Sequence, residues 1–224
     1  MTGVPYPRDM RITTLPAAVL ALAGITAAAP AQAAPATAMV NVTAVNAQGQ
    51  PANGYRVSGS AAQVSDCSNP SPAAVTAGVY SCYPTAASAD VCWTATPGSL
   101  LCAGDPWARI LHRVTYDGTL PAVTPISTPT PFAIELDDGS RCRGYAGGPG
   151  GAHVRKDGYE LAYSCTGTVN VLRRTSPNRP ATINRDQSQW TVLVGATDDP
   201  NADYPAPQTR TVTTAWFAAA PGAD

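Results

Sequence analysis

Six cysteines constrain the fold of this chain more than any other feature of its sequence. All of them lie between residues 67 and 165. They are Cys67, Cys82, Cys92, Cys102, Cys142 and Cys165. An even number of cysteines is typical of a disulfide framework when the chain is exported to an oxidising compartment. The sequence therefore predicts three disulfide bonds, provided that the chain carries an export signal.

The N-terminal segment has the pattern of such a signal. Arg8 and Arg11 give it a positive start, and an apolar run follows from Leu15 to Ala29. The segment ends at Ala31–Ala33, which reads AQA, the small-x-small pattern that signal peptidases cleave. The apolar run is short for a spanning helix, which needs about 20 residues. We expect residues 1–33 to be removed and the remaining chain to be secreted, with no membrane span.

Net charge argues against a nucleic-acid partner. The chain carries 14 Lys and Arg against 15 Asp and Glu, a formal charge of −1. Removal of residues 1–33 takes away two arginines and one aspartate, which leaves −2. Proteins that bind nucleic acid without sequence specificity are usually strongly basic. We therefore expect no nucleic-acid binding.

The cysteine spacing also gives no support for a metal site. Zinc sites place pairs of cysteines roughly two to four residues apart, and no pair in this chain has such a gap. Nitrogen ligands could come only from His112 and His153. Disulfides are therefore favoured over zinc, and the sequence predicts no cofactor.

Short alternating segments in the C-terminal part predict β-strands. Phe132–Leu136 alternates apolar and polar residues, and Tyr159–Cys165 would place all its odd-numbered residues on one face. Asp138-Gly139 and Asp157-Gly158 predict hairpins with two-residue turns. Strands this short, with no alternating helices, are typical of a sandwich or a small barrel.

These turns bring two of the cysteines together. Cys142 and Cys165 would lie on neighbouring strands, and a bridge between them would close a loop of 24 residues. In the chain-entropy model this bridge contributes about 3 kcal/mol of stability. The other four cysteines allow three pairings, and the sequence does not choose among them.

The cysteine-rich part upstream has weaker strand signals. Short strands are predicted at Val79–Tyr83 and Val91–Ala95. Asp105 followed by Pro106 is typical of a helix start, so we expect a short helical turn that runs into a strand over residues 110–116.

Four prolines between Leu120 and Pro131 exclude a helix interior or a central strand there. The predicted organisation is a signal peptide (1–33), a loop-rich N-terminal subdomain (34–119), a linker (120–131) and a β-rich C-terminal subdomain (132–224). The predicted fold class is mainly β, with a small disulfide-stapled β-sandwich or barrel-like C-terminal part.

No segment has a complete catalytic or ligand-binding motif. The glycines of residues 146–151 lack the Lys-Ser/Thr step of a phosphate loop, and no G-x-S-x-G sequence occurs. The residues Asp199, Asn201 and Asp203 alternate as calcium ligands do, without the turn glycine. His112 or His153 could act as a base. Glu135 and Glu160, which we expect on adjacent strands, could form a carboxylate pair.

One charged segment stands out from the near-neutral background. Between Arg141 and Arg185 there are eight basic residues and two acidic ones. If they gather on one face, arginines are suited to hold anionic groups. The candidate binding residues are Arg141, Arg143, Arg155, Arg173 and Arg174.

Several segments carry a resemblance to secreted proteins of actinobacteria, mycobacteria and their relatives, to which no activity is assigned. The resemblance covers roughly Cys67 to Cys165 and depends on the cysteine framework, the DPW sequence at 105–107 and the DDG-x-x-C hairpin at 137–142. It implies export and a stapled fold, and it implies no catalytic residue.

The sequence thus favours an exported, disulfide-stabilised, non-catalytic protein of the cell envelope or medium. Its predicted partner is an anionic envelope polymer or a protein, bound through a basic C-terminal face. A secreted envelope hydrolase and a secreted protease inhibitor are the alternatives.

Overall fold

The structure, a computed structural model, is all-β. It describes residues 35–64, 66–83, 89–145, 154–176, 181–199 and 201–222. Within these ranges there are strands and no α-helix, which confirms the predicted fold class. The predicted signal peptide, the glycine-rich loop and His153 lie outside the described residues. Residues 34–224 cluster as one compact unit, and the predicted division at the linker stays a prediction.

One sheet contains most of the C-terminal strands. Its eight strands within the described ranges are β1 (Ala38–Val42), β9 (Ala133–Leu136), β10 (Arg141–Gly144), β11 (Tyr159–Cys165), β12 (Asn170–Arg174), β13 (Ile183–Asn184), β14 (Thr191–Gly195) and β15 (Gln208–Ala218). Strands β9, β10, β11, β12 and β14 follow one another, and β15 pairs with both β14 and β9. Six strands thereby close a barrel, with β1 added in parallel on β15.

A second sheet contains the cysteine-rich segment. Its seven strands within the described ranges are β2 (Arg56–Val57), β3 (Ala62–Gln63), β4 (Asp66–Pro70), β5 (Val79–Tyr83), β6 (Cys92–Thr94), β7 (Ser99–Ala103) and β8 (Ile110–Thr115). Strands β4 to β8 form antiparallel neighbours in chain order, and β2 and β3 both pair with β8 in parallel.

The three disulfides each join adjacent strands of one sheet. Cys67–Cys82 joins β4 to β5, Cys92–Cys102 joins β6 to β7, and Cys142–Cys165 joins β10 to β11. This confirms the predicted framework and selects one of the three pairings that the sequence left open. No bridge connects the two sheets, so other contacts must hold them together.

Those contacts are a shared apolar layer and a few buried hydrogen bonds. The layer includes Trp93 and Leu101 of the second sheet and Ala133 and Ala218 of the barrel, all fully buried. The indole N–H of Trp93 donates to the carbonyl of Ala219 at 2.8 Å. A separate core fills the barrel, and a third cluster covers the outer face of the second sheet.

The proline-rich linker packs on that third cluster. Val123 is buried within it, and the carbonyl of Pro121 accepts a hydrogen bond from the hydroxyl of Tyr80 at 3.1 Å. The backbone N–H of Thr130 donates to the carbonyl of Pro72 at 2.8 Å. The segment forms no strand and bends at residues 127 and 128, because its prolines remove the donors that a central strand needs.

Both Asp-Gly sequences form hairpin turns, with one residue more than the two-residue turn that the sequence suggested. In the first, Gly139 N–H donates to Leu136, and Leu136 N–H donates to Ser140, both at 3.0 Å. Gly139 has a φ of 79° and Asp138 is not left-handed, which is the three-residue turn with a glycine bulge. Gly158 has the same geometry.

Two local predictions are wrong. The chain after Asp105 makes bends and no helical turn, although the Asp105 carboxylate accepts hydrogen bonds from the N–H groups of Trp107 and Ala108 as a helix cap would. In β11 the register against β12 shifts between Leu161 and Tyr163. The extra residue, Ala162, moves Tyr163 to the barrel interior, so the odd-numbered residues do not share one face.

Candidate functional site

A cleft of about 860 Å³ lies where the barrel, the linker and the second sheet meet. The second sheet and the residues next to it contribute Ser71, Asp90, Val91 and Ala103, and the linker end contributes Thr130–Phe132. The barrel contributes residues 143–145 of β10 and beyond, residues 161–164 of β11, and Arg173 of β12. Its volume is in the range of small-ligand sites, which is about 300–1,000 Å³.

The bulge in β11 shapes one wall of this cleft. A regular strand presents alternate residues to one side, yet four consecutive residues of β11, Leu161 to Ser164, line the cleft. The register shift at Ala162 accounts for this, because a bulge bends the strand and redirects its side chains. Bulges of this kind are frequent next to functional sites.

Arg143 is the exposed cation of the cleft. It lies on β10 directly opposite Ser164 of β11, so the two side chains leave the sheet on the same side. Within the described ranges, Arg143 makes no ion pair or hydrogen bond through its guanidinium, and neither does the hydroxyl of Ser164. Both groups can therefore donate hydrogen bonds to a ligand.

Arg173 is a second cation in the lining, and its charge is compensated. Its Nε donates to Glu160 Oε1 at 2.7 Å, and Glu160 is only 8 % exposed. The two residues are cross-strand partners on β12 and β11. A short, partly buried pair of this kind fixes the position of the arginine and reduces its attraction for other anions.

Asp90 is the acidic group in the lining, and it comes from the second-sheet side. Its Oδ1 accepts a hydrogen bond from Ser81 Oγ at 3.3 Å. Burial raises the pKa of Asp90 above its usual 3.8, and the Ser81 hydrogen bond opposes the shift only in part. No arginine, lysine or histidine in the described part of the chain forms an ion pair with it.

Tyr163 closes the inner wall of the cleft. Its hydroxyl donates to the carbonyl of Pro131 at 2.7 Å, and the side chain is 3 % exposed. Burial raises the pKa of this phenol well above its usual value. Tyr163 therefore remains neutral and holds the end of the linker against the barrel.

The other three candidate arginines lie outside the cleft. Arg141 pairs with Glu135 at 3.3 Å and lies over the ring of Trp107. Arg174 lies over the ring of Tyr159, 4.6 Å from its centroid. Arg155 is buried and pairs with Asp157. The structure thus brings two of the five candidates, Arg143 and Arg173, to one site.

Those alternative catalytic residues that the structure describes do not come together. His112 is exposed on β8, and no acid in the described ranges contacts it. Glu135 and Glu160 lie on β9 and β11, with β10 between them, so the expected adjacency of their strands is wrong. No group of three or more His, Cys, Asp or Glu side chains in the part of the chain that the structure describes could hold a metal ion.

Sequence reasoning missed Asp90 and Ser164. Asp90 lies in a segment with no recognisable motif, and its place in the cleft depends on how the second sheet packs on the barrel. Ser164 carries no motif of its own, but the predicted Cys142–Cys165 bridge between antiparallel strands would have placed it opposite Arg143. Arg143 was named from the excess of basic residues between Arg141 and Arg185.

The chain matches no protein-family model, no curated protein and no solved structure. Among the described residues, no helix is long and apolar enough to cross a membrane.

Proposed function

We propose that this chain is an exported, disulfide-stabilised, non-catalytic binding protein that holds an anionic polymer of the cell envelope in the cleft between its two sheets. The observation that carries the proposal is Arg143. It is exposed, lines the cleft, and has no acidic partner within the described ranges. A guanidinium in this state is suited to a carboxylate or phosphate, which it can bind with two parallel hydrogen bonds.

Export is supported by the three disulfides, because such bonds persist in oxidising compartments. The pattern of residues 1–33 and the resemblance to secreted actinobacterial proteins point the same way. We propose on these grounds that the mature protein acts in the envelope or the medium.

The test is retention on immobilised poly-L-glutamate, a polymer of carboxylates, eluted with increasing salt. We expect Arg143→Gln to reduce the affinity about tenfold, because one charge-assisted contact is lost. The matched control is Arg174→Gln, which removes the same charge outside the cleft and should leave affinity within about twofold. Equal elution of Arg143→Gln and wild type would contradict the proposal.

A secreted hydrolase is the second candidate, and Asp90 is the observation that favours it. A carboxyl group in a cleft whose pKa is raised by burial is suited to general acid catalysis. Release of reducing ends or free amines from purified envelope material by the wild type, and its loss in Asp90→Asn, would support this candidate.

A further inference from the structure

The cleft carries charges of opposite sign on two of its walls. Arg143 belongs to β10 of the barrel, and Asp90 precedes β6 of the second sheet. We propose that the cleft recognises a polymer unit that carries both an acidic group and a protonated amine, with Arg143 and Ser164 on the acidic group and Asp90 on the amine. This inference rests on the proposed function and narrows its ligand to a zwitterionic class.

The acidic end of the site is built from two strands. Directly opposed residues of an antiparallel pair have Cβ atoms about 4.5–5.5 Å apart, so Arg143 and Ser164 can reach the same group. The guanidinium offers a planar fork of N–H donors and the serine offers one hydroxyl donor. Arg173 is less suited to this role than Arg143, because Glu160 accepts from its Nε at 2.7 Å and compensates its charge.

The amine end of the site consists of Asp90, whose carboxylate forms no ion pair with a cationic side chain in the described ranges. Glu160, beside the lining, has an arginine partner in Arg173, whereas Asp90 has no cationic partner within the described ranges. Within the described ranges Asp90 has a single hydrogen bond, from Ser81, and a carboxylate can accept several more. A partly buried carboxylate is costly unless it is paired, and a ligand ammonium would supply the partner.

A purely anionic ligand fits this cleft less well. Its charge would be attracted by Arg143 and repelled by Asp90, so the two walls would oppose each other. A unit with an acid and an amine is attracted by both walls. The volume of about 860 Å³ accommodates such a unit together with the neighbouring part of its polymer.

The first experiment changes only the ligand. A short copolymer of glutamate and lysine is compared with the same copolymer after acetylation of its lysine amines, and the affinity of the wild-type protein for each is measured by titration. Acetylation makes the polymer more anionic, so simple attraction to arginine would strengthen binding. We expect acetylation to weaken binding about tenfold. Equal or tighter binding of the acetylated polymer would overturn the inference.

The second experiment changes Asp90 and uses both polymers. Asp90→Asn keeps the shape of the side chain and removes its charge. We expect it to weaken binding of the amine-bearing copolymer about tenfold and to leave unchanged or strengthen binding of the acetylated one. The matched control is Asp186→Asn, an exposed carboxylate outside the cleft lining, which should affect both polymers equally and slightly.

The outcomes separate the inference from the proposed function. If Arg143→Gln weakens binding of both polymers while Asp90→Asn weakens neither, the anionic site stands and the amine site is wrong. If Arg143→Gln has no effect, or if neither polymer binds the wild type, the proposed function fails and the inference fails with it. Near-ultraviolet circular dichroism checks the fold of each variant. The comparison of the two polymers uses only the wild-type protein, so its result does not depend on whether a variant folds.

Discussion

Arg155 donates two hydrogen bonds to Asp157, from Nε to Oδ1 at 3.1 Å and from Nη2 to Oδ2 at 2.7 Å. The arginine is 2 % exposed, and it also donates to the carbonyls of Ala196 and Pro205. The ring of Tyr204 lies 4.7 Å from its guanidinium carbon. An arginine with this set of partners fixes the turn before β11 against the segment that leads into β15. It is therefore a structural residue, unlike Arg143.

Replacement of Arg155 should destabilise the protein. We expect Arg155→Gln to lower the free energy of unfolding by about 3 kcal/mol, because Asp157 and two carbonyl groups lose their donor. Denaturation by urea, followed by tyrosine and tryptophan fluorescence, measures this change. The matched control is Lys156→Gln. Its pair with Asp203 is solvent-exposed, so its loss should cost less than about 0.5 kcal/mol. Equal effects of the two variants would contradict the structural role of Arg155.

The disulfide between Cys142 and Cys165 should contribute to the stability of the barrel. It joins β10 to β11 next to the cleft and encloses a sequence separation of 23 residues. We expect the double variant Cys142→Ser, Cys165→Ser to be about 3 kcal/mol less stable in the chain-entropy model. Urea denaturation checks this value. Before any substitution, alkylation of the denatured, unreduced protein should modify no cysteine, and any labelled cysteine would contradict the three-bridge framework.

Trp93 should be important for holding the two sheets together. Its indole N–H donates to Ala219 across the shared apolar layer. We expect Trp93→Phe to lower the free energy of unfolding by about 2 kcal/mol, from the lost hydrogen bond and the cavity. The control is Trp107→Phe, since the Trp107 indole N–H is buried with no partner within the described ranges. Its removal should cost less, and the reverse order in thermal denaturation would contradict the role of the Trp93 bond.

Asp90 should make stability depend on pH in a defined direction. Because burial raises its pKa above 3.8, the folded protein keeps the Asp90 proton at pH values where the unfolded chain has lost it. The contribution of Asp90 to the unfolding free energy is therefore largest below the ordinary pKa and falls as pH rises through the raised pKa. We expect Asp90→Asn to be more stable than wild type at neutral pH.

This difference in stability should shrink as the pH is lowered toward and below 3.8. Urea denaturation of both proteins across this pH range measures it. Asp186→Asn, which removes the same charge from an exposed position, is the matched control. A difference between Asp90→Asn and wild type that is independent of pH would contradict the assignment.

Much of the strand structure could be predicted because its signals are local. Val79–Tyr83 and Tyr159–Cys165 have the strand bounds expected from alternation and β-propensity. The turns at Gly139 and Gly158 were recognisable because only a few residue types adopt positive φ readily. The helical turn at Asp105 was wrong because the side-chain cap formed without the apolar period that sustains a helix.

The candidate site could be predicted only in part. The arginine-rich segment identified Arg143 and Arg173. It also included three arginines that lie outside the cleft. Net charge along a segment does not reveal which side chains are paired: Arg141 pairs with Glu135 across β10 and β9, and Arg155 is buried against Asp157. Asp90 carries no sequence signal, because its role comes from the opposite wall of the cleft.

The sequence by itself determined an all-β chain with three disulfides, because alternation, turn residues and an even cysteine count act through near neighbours and covalent chemistry. Only the tertiary structure decided the closure of the barrel, the packing of the second sheet on it, and the bulge at Ala162 that turns β11 toward the cleft. Those features depend on contacts between residues far apart in the chain. The meeting of Arg143, Ser164 and Asp90 follows from them.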